Sequence, residues 1–280
     1  MIRKVVSKNS TEQSICLLDE GEFDGWLYTH EGIYLAVRWI DLKDIENPSI
    51  GDVKDRPARE IQSSSLDMRF IIGILNSKTT TEFIRNTRRD HVNLYPDDFK
   101  PIPIPKISLE QQKPIIDLVE QLNALGLDFF NLRREGWQVR TANQTCTAPA
   151  QIADGIQKTP LARAKISWGF HIIDANATVS DARVKADELI RGRGNTVIQF
   201  APTTSERAKL WLARQFKRYG DETLASLEAR GLEIPASPTA AEAAFDALEA
   251  LEKNVLEKLN HFQNLRNEVD TLVATLYKKP

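Results

Sequence analysis

The stretch LDMRFIIGILNSKTTTEFIRNTRRDHVNLYPDDFKPIPIPKI, residues 66–107, decides the fold of this chain. It begins with the apolar run FIIGIL at 70–75, which has the character of a helix and is interrupted by NSK at 76–78. It ends with PIPIP at 101–105, which can form neither a helix nor a central strand, because each proline fixes φ and lacks an N–H. The rest of the chain is predicted to present this segment.

A helix is predicted over about residues 67–76, with Asp67 or Ser65 as its N-cap, and a second helical stretch is predicted over 79–87. The apolar residues of the first helix form a one-sided stripe, and such a stripe is normally buried. We therefore expect it to pack into the core rather than to contact a ligand.

Polar and basic residues crowd the second half of the stretch. Phosphate groups are held by arginine and lysine, and base edges are read by arginine, asparagine and glutamine. Three aspartates in the same region dilute the positive charge, so a solvated charged turn is the alternative interpretation. The candidate DNA-binding residues are Arg85, Asn86, Arg88, Arg89, His91, Asn93, Tyr95 and Lys100.

Three segments of this stretch carry a resemblance to a known family: GILNSK at 73–78, RRDHVNLYPDD at 88–98, and PIPIPKI at 101–107 followed by a helix. Together they resemble the C-terminal specificity region of Type IIG restriction–methylation enzymes and of adenine-N6 DNA methyltransferases with a TaqI-like target-recognition domain. Type I specificity subunits are related to that group. The similarity covers about residues 66–125, and residues 267–277 look like the family's C-terminal helix.

The resemblance implies a sequence-specific DNA-recognition module of a restriction–modification system. Such a module positions an adenine-N6 DNA methyltransferase, and in fused relatives a nuclease, on its target site. The implied partners are double-stranded DNA and a methyltransferase or restriction domain or subunit. S-adenosylmethionine and Mg²⁺ are expected only in that catalytic partner or in a region missing from the N-terminal side, so no cofactor is expected in this chain.

Catalytic residues are not predicted within the chain. A methyltransferase that flips adenine needs a tetrapeptide of the Asn-Pro-Pro-Tyr kind, and the nearest fragment, Asn47-Pro48-Ser49, lacks the second proline and the aromatic residue. Gly192-Arg193-Gly194 is a lone turn rather than a dinucleotide-binding fingerprint. Pro96-Asp97-Asp98-Phe99-Lys100 contains the residue types of a metal-dependent nuclease motif. In that motif the first acid and the D-x-K pair lie on different strands, whereas here they are contiguous, so the segment is instead predicted to be a turn or a helix cap. The four histidines have no metal-ligand spacing with cysteine, so no metal site is predicted.

The predicted fold class is α+β: a strand-rich target-recognition domain over residues 1–107, then two long heptad-patterned helices that flank a small α/β insert. Apolar runs at residues 2–6, 15–18, 26–28 and 33–37 predict short strands, and the polar residues 41–65 predict a loop.

The first long helix is predicted over 108–135. Ser108 and Gln111 fit a capping box, and Pro114 predicts a bend or a delayed start. Its heptad seam consists of Ile115, Leu118, Leu122, Leu125, Phe129 and Leu132.

Residues 136–165 are predicted to be a linker, because the apolar period disappears there. Residues 166–240 are predicted to form the α/β insert. Strands are expected at 166–173 and 196–200, a helix is expected to start at Thr204 or Ser205, and a short helix over 222–229 is expected to be capped by Asp221.

The last helix is predicted to start at Thr239, with residues 241–280 forming the C-terminal helical domain. Its seam consists of Leu248, Leu251, Val255, Lys258, Phe262, Leu265, Val269, Leu272 and Leu276. The two heptad helices are expected to pair antiparallel as a coiled coil, and self-association through the same seams is the alternative.

Composition limits the remaining possibilities. The net charge of −2 means that any DNA contact has to come from a local patch. Two cysteines are too few for a disulfide framework. The sequence has no run of about 20 apolar residues, so no membrane-spanning helix is predicted. A cytoplasmic location is therefore expected. A coiled-coil scaffold without DNA binding and a complete enzyme of unfamiliar type remain alternatives; salt-dependent DNA binding would exclude the scaffold.

Overall fold

The computed structural model describes residues 2–5, 14–17 and 33–36, for which it gives the backbone, and residues 38–51, 53–87, 99–149, 155–179, 181–192 and 194–278. The chain divides into two compact units, residues 1–128 with 261–280 and residues 129–260. Helices and small antiparallel sheets make up the described residues, which agrees with the α+β class predicted from the sequence.

The N-terminal strands of the first unit form a three-stranded antiparallel sheet. Strands β1 (Ile2–Val5), β2 (Ser14–Leu17) and β3 (Ile33–Ala36) are ordered β2-β1-β3. All three coincide with apolar runs that predicted strands. The strand predicted at residues 26–28 lies outside the described residues.

The loop predicted over residues 41–65 is wrong, because this region is largely helical. A 3-10 helix at Trp39–Leu42 is followed by α1 (Pro48–Gly51) and α2 (Arg56–Ser64). Proline suits the first turn of a helix, where its missing N–H would have no helical partner, so the prolines here start helices instead of preventing them. The described part of residues 1–107 therefore contains more helix than strand, and the strand-rich character predicted for it is not confirmed.

The two helices predicted in the deciding stretch are confirmed as α3 (Met68–Asn76) and α4 (Lys78–Thr87). Asp67 is the N-cap of α3, and its carboxylate accepts the N–H of Arg69 at 2.7 Å. Ser77 separates the helices: its hydroxyl donates to the carbonyl of Ile74 at 2.7 Å and accepts the N–H of Thr80 at 3.2 Å. One buried serine thus satisfies backbone groups at the end of α3 and the start of α4.

Helix α5 (Leu109–Arg134) begins with the predicted capping box. The N–H of Ser108 donates to Gln111 Oε1 at 3.0 Å, and the N–H of Gln111 donates to Ser108 Oγ at 3.3 Å. These bonds satisfy donors of the first turn, so the helix starts there and the delayed start predicted from Pro114 is wrong. Pro114 lies inside the helix and is exposed.

Helix α9 (Pro238–Tyr277) confirms the long C-terminal helix. In the first unit, α3, α5 and α9 share one apolar core, so the stripe on α3 is buried as predicted. Antiparallel coiled-coil pairing of α5 and α9 stays a prediction. The buried members of the core are Phe70, Ile72, Ile74, Ile115, Leu118, Val119, Leu265, Val269 and Val273.

The second unit begins with short strands in the stretch for which the sequence predicts a linker. Strands β4 (Gln138–Arg140) and β5 (Thr145–Thr147) form a hairpin, and β6 (Lys158–Pro160) pairs with β11 (Glu233–Pro235). Each strand has three residues and buries at most one or two side chains, so an apolar period could not reveal it.

A helix replaces part of the strand predicted over 166–173. Helix α6 (Leu161–Trp168) buries Leu161, Ala164 and Trp168 at helical spacing, and Gly169 follows it with φ +68°, the left-handed conformation that ends many helices. The strand prediction holds only at β7 (His171–Ile172).

Strand β7 belongs to a four-stranded antiparallel sheet, ordered β7-β10-β9-β8. The other members are β8 (Arg183–Lys185), β9 (Glu188–Arg191) and β10 (Asn195–Gln199). Strand β10 confirms the strand predicted at 196–200.

Helix α7 (Glu206–Lys217) has the predicted N-cap: Ser205 Oγ accepts the N–H of Ala208 at 3.3 Å. Helix α8 (Leu224–Ala229) is capped by Thr223, whose hydroxyl accepts the N–H of Ser226 at 3.2 Å. The cap predicted at Asp221 is therefore wrong. Helix α8 starts two residues later than predicted, because the hydroxyl of Thr223 accepts an N–H of its first turn.

The seam of α9 in the second unit deviates from a strict heptad. Leu251, predicted to be a seam residue, is 52% exposed, whereas Leu259 is 1% exposed and Lys258 is half-buried. Glu252 lies on the inner side, where its carboxylate binds Arg214 and the N–H of Ala148. A straight helix has 3.6 residues per turn, so its buried face drifts relative to a seven-residue repeat.

Candidate nucleic-acid interface

The two flanks of segment 88–98 are joined by an apolar cluster. Ile84, in α4, is fully buried against Ile102, which is 7% exposed, and Phe99 packs against the same pair. Segment 88–98 itself lies outside the described residues. Residues 99–102 therefore lie next to α4.

Three of the candidate DNA-binding residues lie on these flanks. Arg85 and Asn86 are exposed at the end of α4, directly after Ile84, and Lys100 is exposed directly after Phe99. The shared cluster holds the backbone of all three on neighbouring elements. The other five candidates, Arg88, Arg89, His91, Asn93 and Tyr95, lie in the segment between, outside the described residues.

Arg85 also has a structural explanation. It lies in the last turn of α4, where a cation is favoured by the partial negative charge of the helix end. That interaction does not require DNA, so exposure of Arg85 is compatible with both interpretations of the basic cluster.

The GILNSK segment, which carries much of the family resemblance, is built into the core. A Cβ added to Gly73 would lie 2.5 Å from Ile115 Cγ2. Asn76 Nδ2 donates to the carbonyl of Ile72 at 3.1 Å, and Ser77 is 1% exposed. These groups serve the joint between α3, α4 and the long helices.

Lys78, the last residue of that motif, is tied to α9. Its N–H donates to Asp270 Oδ1 at 2.8 Å across a sequence separation of 192 residues, and its ammonium lies 3.5 Å from Asp270 Oδ2. Because Lys78 is the first residue of α4, this carboxylate satisfies a first-turn N–H that has no helical partner.

The proline-rich segment is extended and turns its isoleucines inward. Ile102 is buried against α4, and Ile104 and Ile107 pack on the main core of the unit. The hydroxyl of Tyr277 donates to the carbonyl of Pro103. Burial raises the pKa of Tyr277 above its usual value.

Gln112 is a buried residue that the sequence did not single out. Its Nε2 donates to the carbonyls of Ser65 at 2.7 Å and Ile107 at 3.1 Å, and its Oε1 accepts the N–H of Asp67 at 2.9 Å. The side chain is fully buried and connects the N-terminal parts of α3 and α5. A glutamine in the first turn of a helix usually faces solvent, so the sequence carried no signal for this role.

A cavity of about 540 Å³ in the second unit lies near the C-terminal ends of α7 and α8 and the β6–β11 pair. Lys158, Arg218 and Arg230 line it, but so does Glu233, and Glu222 binds Arg230. The carbonyl ends of the two helices add partial negative charge. The lining therefore carries more positive than negative side-chain charge, and Glu222 and the helix ends offset part of the excess.

Cys146 is half-buried in the same unit and donates to the carbonyl of Glu252 at 3.3 Å. Burial raises the pKa of this thiol, and the nearby Glu252 carboxylate raises it further. The thiol therefore stays protonated at neutral pH, and a protonated thiol is a poor nucleophile.

Two further kinds of feature are absent from the described residues. No group of three or more histidine, cysteine, aspartate or glutamate side chains there could hold a metal ion. Within the same ranges, no helix combines the length and the apolar character needed to cross a membrane. The expectation that this chain carries no cofactor stays a prediction.

No family model matches the chain, and comparisons with curated proteins and with solved structures also find no match.

Proposed function

We propose that this chain is a sequence-specific DNA-recognition module of a restriction–modification system. Its task is to place an adenine-N6 DNA methyltransferase, and a nuclease where one is present, on the target site. The observation that carries the proposal is the apolar cluster of Ile84 and Ile102, which brings together two flanks with exposed Arg85, Asn86 and Lys100.

The sequence between these flanks supports the same function. Segment 88–98 contains Arg88, Arg89 and His91 together with Asn93 and Tyr95. Cations of this kind contact phosphates, and the guanidinium and amide groups can read base edges. Side chains grouped on a short segment with fixed flanks lose less conformational entropy on binding than the same groups on a free chain.

The packing of α3 and α4 also supports the proposal. Gly73 and Ser77 are engaged within the core, and Lys78 is bound by Asp270. These residues of the resemblance are held within the core of the unit, and exposed Arg85 lies in the last turn of α4. Recognition groups that project from a rigid scaffold are a common arrangement of binding sites.

Catalysis belongs to the partner in this proposal. The methyltransferase or restriction domain or subunit supplies S-adenosylmethionine and Mg²⁺, and the module supplies the position on DNA. The chain has a net charge of −2, so its affinity for DNA has to come from the local basic residues rather than from the overall field. A cytoplasmic location fits this role.

The test is DNA binding by the purified chain at two salt concentrations. One duplex is selected from a randomised pool by its binding to the chain. Its affinity is compared with that of a mixed-sequence duplex of the same length. Affinity should fall as salt rises, because phosphate contacts release counterions. The double variant Arg88→Ala with Arg89→Ala should bind both duplexes more weakly and should reduce the salt slope by about one to two.

The charge-matched control is Lys43→Ala with Lys54→Ala, which removes two exposed cations of the same unit outside the candidate cluster. It should bind as the unaltered chain does. Unchanged affinity and an unchanged salt slope in the arginine variant would contradict a DNA role for the cluster. Absence of salt-dependent binding in the unaltered chain would favour the coiled-coil scaffold instead.

A further inference from the structure

We infer that Asp270 and Tyr277 are positioning residues for Arg85, Asn86 and Lys100: through them, α9 fixes α4 and residues 99–107, the two described flanks that carry these side chains. The part of this inference that concerns DNA rests on the proposed function. The part that concerns the flanks rests on two hydrogen bonds, from Lys78 to Asp270 and from Tyr277 to Pro103.

The first bond fixes the flank that precedes the segment. Asp270 accepts the N–H of Lys78 at 2.8 Å, and its side chain is 18% exposed. A carboxylate at the start of a helix satisfies a donor without a helical partner and also interacts favourably with the helix dipole. Asp270 thereby sets the start of α4, whose last turn carries Arg85 and Asn86.

The second bond fixes the flank that follows the segment. The Tyr277 hydroxyl donates to the carbonyl of Pro103, next to the buried Ile102. A proline carbonyl in an extended segment has no helical or sheet partner of its own, so an outside donor satisfies it. Tyr277 thereby holds the segment that carries Lys100.

The two bonds originate from one face of α9. Asp270 and Tyr277 are seven residues apart, which is about two helical turns. The apolar residues Val269 and Val273, on neighbouring positions, already bind α9 to the core. Apolar burial is non-directional, whereas hydrogen bonds require defined distances and angles. Apolar packing therefore holds the flanks on the core, and the hydrogen bonds of Asp270 and Tyr277 fix their exact positions.

This arrangement has a consequence for binding. If a flank is released, only a fraction of molecules keeps the binding-competent arrangement, and the apparent Kd rises by the reciprocal of that fraction. Selected and mixed-sequence duplexes should respond differently. Base contacts need defined positions, whereas phosphate contacts tolerate displacement, so selectivity should fall more than general affinity.

The experiment uses the full chain with Asp270→Ala and Tyr277→Phe, separately and together. Glu268→Ala is the matched control for charge, because it removes an exposed carboxylate from the same helix. Thr271→Ala is the matched control for the hydroxyl, because the Thr271 hydroxyl donates to the carbonyl of Asn267 in its own helix. Asp270→Asn keeps an acceptor and should restore most of what Asp270→Ala loses.

Amide hydrogen exchange measures the flanks without DNA. Asp270→Ala should raise exchange at the start of α4, and Tyr277→Phe should raise it at the N–H of Ile102, which donates to the carbonyl of Phe99, each by about three- to tenfold, with α5 unchanged. The ratio of affinities for the selected and mixed-sequence duplexes should fall in both variants and stay unchanged in both controls.

The outcomes separate the two claims. Unchanged exchange at both flanks would contradict the positioning role, whatever the DNA result. Faster exchange with an unchanged affinity ratio would show that the two bonds fix the flanks without serving recognition, and would overturn the inference. Failure of the unaltered chain to bind either duplex would contradict the proposed function and the part of the inference that rests on it, while the exchange result would still decide whether α9 fixes the flanks.

Discussion

Gly73 lies so close to Ile115 that a Cβ built on the glycine would be 2.5 Å from Ile115 Cγ2. The same Cβ would be 3.3 Å from Val119 Cγ2 and 3.7 Å from Val269 Cγ1. The glycine of the GILNSK segment therefore allows α3 to approach both long helices within one core. Ile115 is 2% exposed and branched at Cβ, so it has little space in which to move.

Replacing Gly73 with alanine should destabilise the protein by about 1–3 kcal/mol, because an added methyl group overpacks the core. This occurs although alanine is favoured over glycine in a helix by about 1 kcal/mol. Gly126→Ala is the matched control in α5, where nothing lies within 4 Å of the added Cβ, and it should be stabilising. Urea unfolding measures both. Stabilisation by Gly73→Ala would contradict the close contact.

Gln112→Ala should lower the free energy of unfolding by about 2–4 kcal/mol, because two carbonyls and one N–H are left buried without partners. Gln121→Ala is the control, since Gln121 is exposed and bonds only within α5, to the carbonyl of Asp117. It should change stability by less than about 0.5 kcal/mol. Equal effects of the two substitutions, measured by thermal and urea unfolding, would show that the Gln112 bonds contribute nothing.

Ala186→Gly should stabilise the second unit by about 0.5–1 kcal/mol. Ala186 has φ +51° in the two-residue turn between β8 and β9, and the next residue, Asp187, does not share the positive φ. This is the pattern of a type II′ turn, in which glycine is preferred at the first position because a Cβ is strained there.

The control for that prediction is Ala243→Gly. Ala243 is exposed within α9, and glycine there should cost about 1 kcal/mol. The two identical substitutions should therefore shift the melting temperature in opposite directions. A shift in the same direction would contradict strain at Ala186.

Stability should decline at alkaline pH through Tyr277. Burial raises the pKa of this phenol above its ordinary value of 10.0, so the folded protein holds the proton more tightly than the unfolded chain. The stability contributed by the protonated form is therefore complete below about pH 10 and is lost as pH rises through the folded pKa. Tyr277→Phe cannot ionise, so its unfolding free energy should fall less between pH 9 and about pH 11. The same dependence of unfolding free energy on pH in both proteins would contradict a contribution from Tyr277.

Several elements were predictable because their signals are local. The capping box of Ser108 and Gln111, the N-cap at Asp67 and the N-cap at Ser205 each involve residues within one helical turn. Polar and apolar patterns over longer stretches also placed β10 and the start of α9. In each case, the residues that decide the conformation are neighbours in the chain, so the sequence contains them in one short window.

The candidate interface was only partly predictable. Residue types in the sequence identified Arg85, Asn86 and Lys100, and these are exposed as a contact role requires. That their flanks meet depends on the contact between Ile84 and Ile102, which are 18 positions apart in the chain. Apolar residues at such a separation have many potential partners, and packing selects among them.

The helix caps, the long helices and the chemistry of the basic cluster follow from side-chain type and short-range spacing, so they could be read from the sequence. The tertiary structure decided that Gly73 contacts Ile115, that Gln112 is buried and that Asp270 binds Lys78. It also decided that Glu252, rather than Leu251, faces inward on α9. Burial depends on which surfaces, distant in the chain, pack together. The packing free energy is shared among many residues, which no short window of sequence contains.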